Sequence, residues 1–304
     1  MSSQRGPSVG GLLSDKAFTV IDGGMSTALE QLGHHPQGVL WTAQLVIDQP
    51  GEVVRAHELY VAAGAQVAIT SSYQASVGGF VAAGLSVHDA RRALASTTGL
   101  ARLSGAQIVA ASIGPFGAVL GDGSEYRGTY DASWNDVRAF HRERIAILAD
   151  SGPDLFAVET IPGRVEAEII AEEIEARCAL PFWITFSCVD DTHTCAGDLF
   201  VDAVDTLGSV RNLVAVGVNC TAPLHVAGLL TSVAPSVPLI VYPNHGGTWD
   251  AVARTWHHPH NDRFDELAAE WTRCGARLIG GCCGVGPDGI AALANLAQPV
   301  RSAR

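Results

Sequence analysis

The chain has no run rich in lysine or arginine, no apolar stretch of the roughly 18 residues that a membrane helix needs, and little charge of either sign, 16% of its residues. Its formal net charge of -12 repels phosphate backbones and anionic lipid, so neither nucleic acid nor a membrane surface is an expected partner. Residues 1–16 contain Gly, Ser and Pro but no apolar segment behind a basic start, so they do not read as a secretory signal and are expected to be a flexible or capping segment. The seven cysteines are odd in number and two are adjacent, Cys282-Cys283. That usage does not suit the disulfide framework of a secreted domain; it suits reduced thiols in the cytoplasm.

What is present is apolar and periodic. With 304 residues and 47% hydrophobic content, the chain can bury one large core, and a single domain over 1–304 is expected. Eight short, nearly continuous apolar runs recur at 18–21, 66–70, 108–112, 155–158, 182–186, 213–218, 239–242 and 277–280. Each has the character of a parallel strand buried on both faces. Amphipathic segments lie between them, at 51–63, 86–104, 133–150, 164–178 and 261–274. Ser86 and Ser133 stand where N-caps belong, and Gly64, Gly105, Gly152 and Gly275 where a left-handed C-terminal residue belongs. Eight β/α units predict an α/β fold of the (β/α)8 TIM-barrel type, because closure removes both sheet edges; an open doubly wound sheet is the alternative.

Polar residues gather at the carboxyl ends of these runs: Asp22, Thr70, Ser112, Glu159, Ser187, Asn219 with Cys220, Tyr242, and Cys282 with Cys283. In a barrel that rim carries the chemistry. Cys220 ends the sixth run and Cys282-Cys283 the eighth, so three sulfurs can meet there. Three thiolates and one open corner describe a catalytic zinc site. The alternative is that the three are buried small hydrophobes, as free cysteines often are; Cys178, Cys188, Cys195 and Cys274 are read that way. An electron-rich zinc holds a substrate sulfur as a nucleophile, whereas an ion that acidifies water is more naturally held by histidines. The ligand set therefore points toward sulfur alkylation. A zinc hydrolase or lyase on the same scaffold, or a zinc- and amino-acid-binding barrel without turnover, are the competing readings.

Six ordered segments resemble the homocysteine S-methyltransferase family, in its zinc-dependent short form: Asp22-Gly23-Gly24-Met25, the segment 123–128, Glu159-Thr160-Ile161-Pro162, Gly217-Val218-Asn219-Cys220, Tyr242-Pro243-Asn244 and Gly280-Gly281-Cys282-Cys283. The resemblance implies a zinc-held homocysteine thiolate that takes a methyl group in one in-line displacement and becomes methionine. It also implies that Asp22 and Glu159 hold the amino group of homocysteine, while the backbone N–H groups of Gly23 and Gly24 receive its carboxylate. Asn219 is then expected to orient a ligand or the substrate, and Tyr242 to line the pocket, although a turn asparagine and a packed tyrosine are equal competitors. Two positions depart from the family pattern. His245-Gly246-Gly247 stands where Ser-Gly-Glu is expected, and Gly284 where Arg or Thr is usual. A single barrel leaves no room for folate or cobalamin domains, so the donor is expected to be a free sulfonium, S-methylmethionine ahead of S-adenosylmethionine, with betaine third. Trp41, Tyr73, Tyr126 and Trp249 are the candidate aromatic faces for its cation.

Overall fold

The computed structural model describes residues 17–35, 40–246, 248–250, 255–257 and 264–298. Eight parallel strands form one sheet: β1 (Thr19–Val20), β2 (Val67–Ile69), β3 (Ile108–Ile113), β4 (Leu155–Ile161), β5 (Phe182–Phe186), β6 (Leu213–Asn219), β7 (Leu239–Tyr242) and β8 (Ala276–Ile279), in the order β1-β8-β7-β6-β5-β4-β3-β2. The two ends meet. A parallel bridge joins Ile21 to Val67, the Gln66 N–H donates to the Val20 carbonyl at 2.8 Å, and the Asp22 N–H donates to the Val67 carbonyl at 3.1 Å. The sheet is thus a barrel, and all eight expected strands are in it.

One main helix follows each strand, α1 (Pro50–Ala62), α2 (Val87–Leu103), α3 (Trp134–Asp150), α4 (Arg164–Arg177), α5 (Phe200–Asp205), α6 (Pro223–Thr231), α7 (Phe264–Arg273) and α8 (Pro287–Leu296), with short extra helices at Met25–Gln31, Ala43–Asp48 and Val77–Ala82. Their ends carry the chemistry that the sequence announces. The Ser86 hydroxyl accepts from the Asp89 N–H, and Ser133 forms a reciprocal capping box with Asp136. The residues expected to begin the seventh helix, 261–263, lie outside the described residues, as does the segment 1–16.

Two apolar layers hold the barrel. Inside it, Ile21, Val67, Leu155, Trp183, Ile240 and Leu278 belong to one packed cluster that Tyr242 caps. Outside it, the other faces of the strands meet the helices in a larger cluster that includes Leu94, Ile145, Ile170, Phe200 and Trp271. Strands buried on both faces explain why the runs show no polar alternation. One element runs beyond its expected limit. β4 extends to Ile161, and its pairing with β5 shifts register between Val158 and Ile161. Glu159 therefore sits on a bulge inside a strand rather than after one, and a bulge re-aims a side chain.

Candidate metal centre at the barrel mouth

Cys220, Cys282 and Cys283 place their sulfurs within 4.8 Å of one another. The Cys220 and Cys283 sulfurs are 3.8 Å apart, and those of Cys282 and Cys283 are 4.0 Å apart. Ligands at about 2.3 Å on a tetrahedral ion stand about 3.8 Å apart, so the trio fits one metal ion. The backbone is bent to achieve this. Cys220 takes a positive φ of 48° as β6 ends, an unusual state for a residue with a Cβ. Cys282 and Cys283 open a tight turn in which the Val285 N–H returns to the Cys282 carbonyl at 3.0 Å, with Gly284 left-handed at φ 79°. The two consecutive cysteines thereby leave strand alternation and reach one point. Hydrogen bonds from Cys282 and Cys283, then from the Tyr126 hydroxyl, hold Cys220 well below the usual thiol range, and the contact with Cys220 pushes Cys282 and Cys283 up.

Two buried carboxylates stand on the same rim. Asp22 is 2% exposed, and its Oδ2 accepts from the Ile69 N–H at 2.8 Å. Burial pushes it well above the ordinary carboxylate range, and the neighbouring Glu159 pushes it further. Burial likewise raises Glu159, to about 7, against hydrogen bonds from Ser112 and Tyr242. Two carboxylates that feel each other and lack water form a site that a cation would ionise.

Beneath them lies a closed polar tier. The Asn219 Oδ1 accepts from the Thr160 N–H at 2.6 Å and from the Thr185 hydroxyl at 2.8 Å, while its Nδ2 donates to the Thr160 Oγ1 at 2.8 Å. Its amide is therefore spent on strand ends. It pins Thr160, whose φ of 60° is rare for a β-branched residue, at the bulge that aims Glu159. The Tyr242 hydroxyl accepts from the Trp183 indole N–H at 3.0 Å and meets Thr185 at 2.8 Å. Sequence reading alone gives no sign of Thr160, Thr185 and Ser112 as a unit, because lone hydroxyls at strand ends carry no signature.

The glycines of the first motif are needed for close approach. A Cβ at Gly23 would lie 2.4 Å from the Val285 carbonyl oxygen, and one at Gly24 would lie 2.8 Å from that of Cys282. The Gly24 N–H already donates to the Val285 carbonyl at 3.1 Å, which corrects the expectation that both glycine amides are free for a carboxylate. Only Gly23 of the pair keeps its N–H without a partner among the described residues.

A homocysteine S-methyltransferase family model matches residues 19–297. A homocysteine S-methyltransferase from Escherichia coli (strain K12) is 40% identical over 93% of this chain and 96% of its own; homocysteine S-methyltransferase 1 of Zea mays is 39% identical over 91% and 93%. The chain belongs to the homocysteine S-methyltransferase family. Among solved structures, the metallated form of the E. coli homocysteine methyltransferase MmuM superposes with a TM-score of 0.83 at 36% identity, over 93% of this chain and 98% of that one. The apo form of MmuM gives 0.75.

Within that family the two departures prove to be neighbours. A Cβ at Gly284 would lie 3.1 Å from the Cβ of His245, and the His245 N–H donates to the Cys283 carbonyl at 3.0 Å. His245 is half-buried and stacks on Phe264, with ring centroids 6.1 Å apart and planes 6° from parallel. It is a packed side chain, and it is not in the sulfur trio. Gly247 and the side chain of Trp249 lie outside the described residues. Cys188 is buried in the core, where its thiol is pushed up, away from the trio.

Proposed function

We propose that the protein methylates the sulfur of homocysteine, giving methionine, with zinc as its metal and a sulfonium compound, S-methylmethionine first, as donor. The observation that carries this reading is the sulfur trio, spaced for a tetrahedral ion and supplied by three thiols. Cys220, Cys282 and Cys283 would hold the zinc. When bound, it supplies the Lewis acidity by which a thiol of ordinary pKa gives up its proton near neutral pH.

The chain's own groups do the rest. Asp22 and Glu159 take the substrate ammonium, whose charge restores their ionised forms, and the Gly23 N–H is open to its carboxylate. Asn219 and Tyr242 act one step back, by fixing Thr160 and Glu159. With its amino acid end held, the substrate sulfur has one direction in which to reach a methyl carbon. It forms an S–C bond as the donor's C–S bond breaks, and the electron pair leaves with a neutral thioether. Small molecules are the only partners this requires, and seven free thiols suit a reducing cytoplasm. No helix among the described residues is long and apolar enough to cross a membrane.

The test incubates zinc-loaded protein with homocysteine and, separately, S-methylmethionine, S-adenosylmethionine and betaine, with methionine measured by mass spectrometry. Methionine is expected fastest from S-methylmethionine. No methionine from any of the three would overturn the reading.

A further inference from the structure

The barrel mouth contains a third carboxylate for which the proposed homocysteine contacts have no use. Glu125 lies in the 3-10 turn Ser124–Tyr126, on the loop between β3 and α3. Its Oε2 is buried and has no hydrogen-bond partner among the described residues. The carboxylate meets its own backbone N–H, but an oxygen kept only to brace the loop would not be left unmet, because an unmet buried acceptor costs free energy. The cation nearest in sequence, Arg127, is turned to Asp122 instead.

The position of Glu125 is built. Gly117 has room for no side chain, since a Cβ there would lie 2.5 Å from the Glu125 backbone nitrogen. The next residue, Tyr126, brings its hydroxyl to 3.2 Å from the Cys220 sulfur. Glu125 is near enough to Cys220 and to Tyr73 for the charges to be felt, and burial keeps its carboxyl above the ordinary range. Tyr73 is itself held. Its ring packs against Gly114, where a Cβ would lie 2.6 Å away, and the buried Arg144 guanidinium donates to the Ser72, Tyr73 and Gly114 carbonyls. An unpaired carboxylate oxygen that feels Tyr73 and Cys220, on the turn that brings Tyr126 to Cys220, has the chemistry of a cation seat.

We propose that Glu125 is the specificity-determining residue for the methyl donor, its unpaired carboxylate oxygen facing the sulfonium charge with Tyr73 and Tyr126 beside it. This rests on the functional reading above. As the methyl carbon passes to the substrate sulfur, the sulfonium becomes a neutral thioether and loses its attraction to Glu125, which favours release of the product.

The test uses zinc-loaded full-length protein, the variants Glu125→Gln and Glu125→Asp, and two methyl donors: S-methylmethionine and the neutral reagent methyl methanesulfonate. Glu125→Gln should raise the KM for S-methylmethionine by about 10- to 100-fold, the range of a charge-assisted contact, with zinc content and the KM for homocysteine close to the parent's. Methionine formation from methyl methanesulfonate should change by less than about twofold, since no cation is bound, and Glu125→Asp should recover part of the sulfonium KM. An unchanged sulfonium KM, or equal losses with both donors in both variants, overturns the proposal while leaving the function standing. A parent enzyme that makes no methionine from any sulfonium overturns the function, and this proposal with it.

Discussion

In the proposed reading, where Glu159 takes the substrate ammonium, its raised pKa makes homocysteine binding pH-dependent in a direction that can be worked out. The ammonium of the substrate needs the ionised carboxylate, and the free protein holds that group at about 7. For a single group of this kind the ionised fraction is about nine-tenths at pH 8 and about one-tenth at pH 6. The apparent KM for homocysteine should therefore rise about tenfold over that interval, with a slope approaching one decade per pH unit at the acid end. Thiol ionisation and Asp22 also titrate, but Glu159→Gln keeps both of those groups and lacks its own carboxylate, so the difference between the two profiles reports Glu159 together with its coupling to Asp22. Steady-state kinetics at saturating donor, from about pH 5.5 to 8.5, is the assay. A parent and a Gln variant with parallel profiles would refute the reasoning.

The same shift has a stability side. Because the folded value lies above the ordinary carboxylate value of 4.5, the contribution of Glu159 to stability is whole below about 4.5 and is lost as pH rises through about 7. The span corresponds to about 3 kcal/mol. The substrate ammonium offsets that loss.

Three further outcomes are expected. Glu159→Gln should make the substrate-free protein more resistant to urea at pH 8 than the parent, and an equal or lower midpoint would argue against a strained carboxylate. Cys220→Ala and Cys282→Ala should each lose stoichiometric metal and methyl transfer while circular dichroism still reports the barrel, since the strands carry the stability; metal retained at one per chain would rule out the ligand set. Asn219→Ala should cost about 1–3 kcal/mol in urea unfolding, because it strands the buried Thr160 N–H, while the Thr185 hydroxyl keeps Tyr242, and it should weaken homocysteine binding through Glu159; a loss under about 0.5 kcal/mol would show that Thr160 holds its conformation without it.

The strands were legible because burial on both faces leaves continuous apolar runs, and the sulfur trio because strand ends converge in a barrel whatever their separation along the chain. The bulge at Glu159 was not legible. It depends on Asn219 bonding to Thr160 across 59 positions, and nothing local at Glu159-Thr160-Ile161 announces it. Nor was the fate of the Gly24 N–H, which is decided by the turn after Cys283. Nor was the packing of His245, whose stacking partner Phe264 comes from the start of α7. Glu125 sits in a recognisable segment, but an unpaired oxygen can be seen only once every candidate donor has been placed.

Asp22 belongs to the architecture as much as to the pocket. β1 is two residues long, and where it meets β2 the carboxylate of Asp22 takes the N–H of Ile69 in the manner of one more rung. Occupancy by an amino acid would thus tighten the hoop at its shortest stave, and amide exchange at Ile69 should slow when ligand is present. Any lineage that altered this residue to change its substrate would also loosen the cylinder, so selection on diet and selection on shape fall on one oxygen atom.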